Sequence, residues 1–293
     1  MWLPQHPCRG HWPIFYRLII LNINNLPICR CWRRVGKSPP LTWRNGWIRK
    51  WMYCMRQKIQ DHKNNRKRKG SEMKYRDDIY IYEWANYFDN NCNSYYIGGN
   101  VQALIDPGLT RYLPDLLNQM ANDGIKKKDI KYVINTHSHP DHFQGSELFD
   151  QEKVKIALHR KEMDFLKGVG GELYGLFGIT VPQMQINMQM EDGKLELGDQ
   201  VFKVISIPGH TPGSIGLYWP VKKALFCGDV VFQQNVGRTD FPGGNGSLLK
   251  KSIVTLSDLD IELLLPGHMG MIEGHDKIQD NFNIIIQNIF PYI

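Results

Sequence analysis

The chain alternates between short apolar runs and polar or glycine-rich breaks. Apolar runs rich in β-branched and aromatic residues are typical of buried strands. Gly98-Gly99-Asn100 joins two such runs and predicts a hairpin. The predicted strands cover residues 79–84, 93–97, 101–106, 130–135, 154–158 and 261–265, with further short strands between residues 186 and 231.

Helical periodicity is confined to a few segments that lie between or after these runs. The first amphipathic helix is predicted over Leu113–Asp123 and closed by Gly124. The others are predicted at residues 145–149, from His159 onwards, and at 247–256 and 278–290. Because the strands cluster in two halves, each with helices, the pattern predicts an α/β (α+β) fold of two sheets packed face to face with helices outside.

Residues 168–182 are rich in glycine. The apolar side chains between the glycines include Leu173, Tyr174 and Phe177. A segment of this kind is either a mobile lid over a substrate or a plain connection. His159, just before it, has no partner at ligand spacing and is predicted to lie on the surface.

The charge of the chain is divided unevenly. Residues 1–72 contain 16 Lys or Arg and two acids, a net charge of +14, together with six of the eight Trp. Residues 73–293 contain 20 basic and 27 acidic residues, a net charge of −7. The overall net charge of +7 therefore gives no reason to expect that residues 73–293 bind nucleic acid.

Residues 1–72 form a basic, Trp-rich N-terminal extension without helical or strand periodicity. It is interpreted as a nucleic-acid or membrane-surface arm, as a disordered tail, or as a mis-assigned start that precedes a domain beginning at Met73. The third interpretation is preferred, because Lys69-Gly70-Ser71-Glu72 can be encoded by a purine-rich run that resembles a ribosome-binding site. N-terminal sequencing of the native protein tests it.

Cysteine usage and hydropathy bear on the compartment. Cys92 and Cys227 fall in apolar, strand-like contexts, which is typical of small buried residues in a reducing compartment. The apolar run at residues 14–23 is interrupted by polar residues and is well short of the ~20 residues that a spanning helix needs. A cytoplasmic protein without a membrane partner is expected.

The richest chemistry lies in Thr136-His137-Ser138-His139-Pro140-Asp141-His142, directly after the apolar run at 130–135. His137 and His139 are two residues apart, so they project to the same side of an extended segment. Pro140 ends the strand, and Asp141 and His142 open a helix that turns back towards them. The turn can therefore offer ligands to two metal ions.

Three further polar residues each follow an apolar run and lie beside glycine: His210, Asp229 and His268. Glycine next to a ligand lets the backbone turn sharply and leaves room for an ion. Asp106 also ends a strand, and its carboxylate is predicted either to support the metal turn or to cap its own turn.

This set of residues resembles the metallo-β-lactamase superfamily in its two-metal hydrolase form. The resemblance spans residues 73–293 and implies a four-layer αββα sandwich with the metals at the sheet edge. It implies that His137, His139 and His210 hold the first metal, that Asp141, His142 and His268 hold the second, and that Asp229 bridges them. Asp141 and Asp229 are expected to be catalytic, with a metal-bridging hydroxide as nucleophile.

Two residues argue against particular branches of this superfamily. Aspartate at 229, where zinc β-lactamases place Cys, argues against antibiotic hydrolysis. Histidine at 139 argues against the flavodiiron branch, which places Glu there.

Two stretches, 209–214 (GHTPGS) and 237–244 (GRTDFPGG), resemble the corresponding motifs of the glyoxalase II-like group. This group includes hydroxyacylglutathione hydrolases and persulfide dioxygenases. The resemblance implies a small-molecule thioester substrate and two divalent ions, with Zn preferred and Fe or Mn as alternatives. Only 25 residues follow His268, with Lys277 their sole Lys or Arg, so the thiol need not be glutathione. The oligomeric state stays open. The candidate substrate-binding residues are Arg238, Asp240, Phe241 and Tyr174.

Two other activities fit the same residues. A persulfide dioxygenase would use His137, His210 and Asp229 to hold one Fe(II). A phosphodiesterase or nuclease of this fold is the second alternative, which the acidic balance of residues 73–293 disfavours.

Overall fold

The computed structural model describes residues 74–76, 78–86 and 89–293, and the predictions for residues 1–72 lie outside this range. Its first sheet has seven strands in the order of the chain. Neighbours are antiparallel from β1 to β4 and parallel from β4 to β7. The strands are β1 (Lys74–Arg76), β2 (Ile79–Tyr82), β3 (Ser94–Ile97), β4 (Ala103–Ile105), β5 (Tyr132–Ile134), β6 (Lys155–His159) and β7 (Met188–Met190).

The remaining strands form a second sheet and a small ribbon. They are β8 (Gly193–Leu197), β9 (Gln200–Ser206), β10 (Ile215–Trp219), β11 (Ala224–Gly228), β12 (Val231–Phe232), β13 (Asn235–Val236), β14 (Leu263–Pro266) and β15 (Ile272–Glu273). The second sheet has the order β15-β14-β11-β10-β9-β8, and β12 pairs with β13. Only β11 and β14 are parallel neighbours in this sheet. Because β10 is antiparallel to both β9 and β11, the strands β9, β11 and β14 all run in one direction.

The helices cover the outer faces of the two sheets. They are α1 (Leu113–Asn122), α2 (Pro140–Phe143), α3 (Arg160–Lys167), α4 (Val169–Leu176), α5 (Gly246–Ser257) and α6 (His275–Asn288), with short 3-10 turns at Lys127–Asp129, Gln144–Leu148, Pro220–Lys222 and Phe290–Tyr292. None of the helices in this part of the chain is long and apolar enough to cross a membrane.

Apolar side chains that point alternately to the two faces of each strand form three apolar layers. Ile105 of β4 and Leu265 of β14 are buried between the sheets, where the two inner faces meet. Leu104 points to the opposite face and packs with the α1 side chains, whereas Leu264 packs with α5 and α6. Successive side chains of a strand point to opposite faces, so one short strand serves both layers. This confirms the predicted four-layer αββα sandwich.

Two local predictions are wrong. Residues 169–176 form the helix α4 rather than a loop, because Leu173 and Tyr174 are buried and anchor one face of it. His159 is buried at 4% exposure, not on the surface. It ends β6, an interior strand between β5 and β7, and its Nε2 lies 3.5 Å from Ser206 Oγ.

Candidate metal centre

The predicted metal turn lies at the carboxyl end of β5, in the middle of the first sheet. His137, His139 and His142 are buried at 6% exposure or less. Pro140 begins α2, and Asp141 and His142 lie inside this one-turn helix, as the sequence predicts. The strand directs the first two imidazoles and the helix returns the third towards them.

The second sheet supplies the other three residues from one edge. Asp229 directly follows β11, while His210 and His268 lie in the loops that follow β9 and β14. Because these three strands run in the same direction, their carboxyl ends lie at the same edge, and all three loops face the turn after β5. The fold therefore brings together all seven residues that the sequence predicts as ligands.

Their ligand atoms fall into overlapping groups within which all atoms lie within 4.8 Å of one another. One group is His137, His139 and His210, and another is Asp141, His142 and His268. These are the two sets that the resemblance implies.

Asp229 lies between the two sets. Its Oδ2 is 3.6 Å from His210 Nε2 and 3.3 Å from His268 Nε2, and its Oδ1 is 3.1 Å from His142 Nε2. One carboxylate thus reaches histidines of both groups, as a bridging ligand must.

The site has unpaired ligand atoms. The Nε2 atoms of His137, His139, His142 and His210 and the Oδ1 atom of Asp229 are buried and form no hydrogen bond in the described chain, although His142 Nε2 and Asp229 Oδ1 lie 3.1 Å apart as an ion pair. Buried polar atoms without partners are costly unless something else binds them, and imidazole nitrogen with carboxylate oxygen is a donor set that suits Zn or Fe. The residues present therefore fit divalent metal ions.

The protonation states of the metal-free protein agree with this fit. Burial, with His210 nearby, lowers the pKa of His139 to about 3, so its imidazole is neutral at pH 7. Burial opposes ionisation of Asp141, but His142 and His268 lower its pKa to about 2. Burial also disfavours charged His268, but Asp229 and Asp141 raise its pKa to about 10. Burial also disfavours charged His142, but Asp229 and other nearby acids raise its pKa well above the usual value. Metal binding would therefore release protons from His268 and His142.

Gly267, beside His268, leaves room at the metal centre, as the sequence predicts. A Cβ at Gly267 would collide with the carboxylate of Asp229 and would lie 2.6 Å from His142 Cε1. Any larger residue at 267 would therefore displace two predicted ligands.

Asp106 directly follows β4 and supports the metal turn. Its Oδ2 lies 2.9 Å from His142 Nδ1 and accepts a hydrogen bond from Thr136 Oγ1, and its Oδ1 accepts one from the Thr136 backbone N–H. The bond to Nδ1 leaves His142 Nε2 as the metal-facing nitrogen. Of the two sequence interpretations of Asp106, the structure therefore supports the first, because the hydrogen bonds of the carboxylate go to the metal turn and not to its own turn.

Replacing Asp106 with Asn is expected to weaken metal binding or activity by roughly 10–100-fold, because an amide offers one acceptor oxygen in place of two. Metal titration by calorimetry measures the effect, with Asp115→Asn, an exposed acid of α1, as the control. Wild-type affinity and activity in Asp106→Asn would show that Asp106 does not orient His142.

Sequence reasoning missed Glu162. This carboxylate is fully buried in α3, where burial raises its pKa and hydrogen bonds oppose the rise. Its Oε1 accepts from the backbone N–H and Oγ of Ser138, and its Oε2 from Thr211 Oγ1 and the Gly213 N–H. Glu162 thus ties the loop between His137 and His139 to the loop after His210. Its position in a charged helix gave no sign of this role.

The candidate substrate residues divide into two groups. Arg238 donates to both carboxylate oxygens of Asp240, at 2.7 and 2.6 Å, and its guanidinium lies 3.5 Å from the centre of the Phe241 ring. Phe241 in turn lies edge-on to His139, with 6.0 Å between ring centroids. These three residues border the metal centre, and their contact with substrate stays a prediction.

Tyr174 takes a different place. It is 1% exposed, and its hydroxyl donates to the Ser138 carbonyl at 2.8 Å. Because its ring is buried and its hydroxyl is bound to the Ser138 carbonyl, Tyr174 supports the metal turn. The prediction that Tyr174 contacts substrate is corrected accordingly.

Comparison with known proteins agrees with the geometry. Residues 87–268 match the family model described as the metallo-beta-lactamase superfamily. A Methanocaldococcus jannaschii protein with the name "Probable metallo-hydrolase" is 33% identical over 62% of this chain and 90% of its own length. The hydroxyacylglutathione hydrolase GloC of Haemophilus influenzae is 32% identical over 62% of this chain and 86% of its own.

Solved structures share the fold. The B3 metallo-β-lactamase BLEG-1 is 24% identical, with a TM-score of 0.59 over 73% of this chain and all of that chain. The di-iron-bound form of TTHA1623 is 25% identical, with a TM-score of 0.53 over 67% of this chain and 92% of that chain.

Proposed function

This chain belongs to the metallo-β-lactamase superfamily and is a metallo-hydrolase, and from that premise we propose that it hydrolyses thioesters of the hydroxyacylglutathione type. The observation that carries the proposal is that buried imidazole nitrogens without hydrogen-bond partners lie in two neighbouring groups with the Asp229 carboxylate between them. Such a centre suits attack by water rather than by a side chain.

His137, His139 and His210 would hold one divalent ion and Asp141, His142 and His268 the other, with Asp229 facing both. Zinc is the metal proposed. When bound, a pair of such ions lowers the pKa of a water molecule and polarises the scissile carbonyl. The chain's own residues fix this arrangement: Asp106 orients His142, and the Arg238 carbonyl accepts from Nδ1 of His210 at 2.8 Å.

The cysteines of the described chain do not serve as nucleophiles. Cys92 and Cys227 are buried, and burial raises their thiol pKa values to about 11 and about 12. Thiolate is the nucleophilic form of cysteine, so both are inert near pH 7. This supports hydrolysis by activated water.

Thioesters suit the site for two reasons. A thiolate leaves with little help from a general acid, because the pKa of a Cys-like thiol is about 8.5. The two carboxylates also offset only part of the charge of two dications, so the centre attracts anionic acyl groups. The hydroxyacylglutathione hydrolase relatives agree with this substrate class.

An assay with S-D-lactoylglutathione and with a thioester of a second thiol tests the proposal on zinc-loaded protein. We expect thiol release that saturates with substrate and that a chelator abolishes. If neither thioester is cleaved, the proposal fails, and oxygen uptake with a glutathione persulfide would instead indicate the dioxygenase. The cytoplasmic location remains a prediction.

A further inference from the structure

A cavity of about 330 Å³ opens beside Asp141. Pockets for small ligands range over roughly 300–1,000 Å³, so this volume can hold part of a small molecule. Because Asp141 belongs to the predicted metal centre, a substrate bound at the metals can extend directly into this space. The residues that line the cavity decide which substrate groups it accepts.

One wall is apolar. Leu109, Pro140, Phe177 and Ile179 line the cavity, and Phe177 is 49% exposed. The Phe177 ring contacts the Phe241 ring with 5.9 Å between centroids, and Phe241 in turn contacts His139. An apolar surface therefore runs from the metal-binding histidines into the cavity and would pack against the carbon chain of a substrate.

The cavity also has a positive charge. Arg111 is the one cationic side chain among the described residues that line it. Its guanidinium lies 4.7 Å from the centre of the Tyr112 ring, and this ring contacts the Trp84 ring at a 45° tilt with 4.5 Å between centroids. Its ion pair with Asp89 is loose, at 3.8 Å, and its side chain is 63% exposed. Exposed pairs of this kind contribute little, so Arg111 remains able to bind an incoming anion.

The backbone that carries Arg111 is fixed to the metal turn. Thr110 donates through its backbone N–H to Gln144 Oε1 and through Oγ1 to the Gln144 carbonyl, at 3.2 and 3.1 Å. The Gly108 N–H donates to the His142 carbonyl at 3.1 Å. The position of the Arg111 backbone relative to the metal turn is therefore set by the fold, and its side chain lines the cavity from there.

We infer that this cavity is the specificity subsite for one arm of the thioester and that Arg111 binds an anionic group, a carboxylate, at the end of that arm. The inference rests on the proposed function. An arm of this kind combines a short apolar portion, packed on Phe177 and Ile179, with a terminal negative charge.

Two matched pairs of thioesters test the inference. In the first pair the thiol is N-acetylcysteine or N-acetylcysteamine with a common lactoyl group, so that only the thiol carboxylate differs. In the second pair the acyl group is succinyl or butanoyl on N-acetylcysteamine, so that the charge is on the acyl side. Wild-type protein is expected to prefer the carboxylated member of one pair by at least about tenfold in kcat/KM.

Arg111→Gln is expected to remove that preference, and Arg111→Lys to keep part of it. Arg160→Gln is the control, because Arg160 has an equally loose ion pair, 3.8 Å from Glu191, and 67% side-chain exposure outside the cavity. An unchanged preference in Arg111→Gln, or no preference in wild type for either pair, overturns the inference alone. If none of the thioesters is cleaved, the proposed function fails with it.

Discussion

Replacing Asp229 with alanine is expected to lower kcat/KM for thioester hydrolysis by about 1,000-fold or more, since a metal centre contributes several kcal/mol to such a reaction. Asp229 is the one carboxylate of the predicted ligand set whose oxygens lie within 3.6 Å of both His210 and His142. Without it, the two histidine groups lose their common partner. Steady-state kinetics on zinc-loaded protein measures the change, and metal analysis of the same sample is expected to show less bound metal.

Asp164→Asn provides the control for Asp229→Ala, because Asp164 is an exposed acid of α3 that lies outside the predicted ligand set. Its kinetics and metal content should match wild type. Asp229→Ala with wild-type activity would exclude a bridging role for Asp229. A loss of activity caused by unfolding is recognised from the circular dichroism of the same preparation.

Replacing Glu162 with alanine is expected to reduce both stability and activity. The substitution leaves the N–H groups of Ser138 and Gly213 buried without an acceptor, and each such group costs roughly 1–3 kcal/mol. The free energy of unfolding should therefore fall by about 2–6 kcal/mol, a large part of the roughly 5–15 kcal/mol of a typical domain. Activity should fall by roughly 10–100-fold, because the loops carrying His137 and His210 lose their connection.

Denaturant unfolding and zinc titration separate these two effects of the Glu162 substitution. Glu162→Gln keeps the volume and one acceptor oxygen, so it should lie between alanine and wild type in stability and in metal affinity. Glu152→Ala, an exposed acid, serves as the control. If Glu162→Ala loses stability but binds zinc as tightly as wild type, Glu162 is a structural residue that does not position the metal turn.

The seven residues that the fold brings together could be predicted from the sequence because each one follows a local pattern. The run that forms β11 ends at Gly228, directly before Asp229, and the run that forms β14 ends at Pro266, just before His268. Metal ligands at the end of a buried strand are visible as a polar residue after an apolar run. Because these strands run in the same direction, the polar residues that follow them lie at one edge of the sheet, and the sheet topology alone is enough to predict this.

The contacts that the sequence did not reveal depend on tertiary structure. Glu162 accepts bonds from residues 24 and 49 positions away along the chain, so no local spacing marks it. α4 was missed because its glycines hide the period of its buried residues, Leu173 and Tyr174. No local sequence pattern marks Arg111, and only the fold places it at the cavity beside Asp141.

The metal content of active protein tests the central claim most directly. Purified protein, loaded with zinc and freed of loosely bound ions by gel filtration, is analysed by inductively coupled plasma mass spectrometry beside a thioester assay of the same sample. The seven converging residues predict two zinc ions per chain, with activity rising to its maximum only as the second ion binds. A fully active protein with one metal ion per chain would contradict the two-metal site.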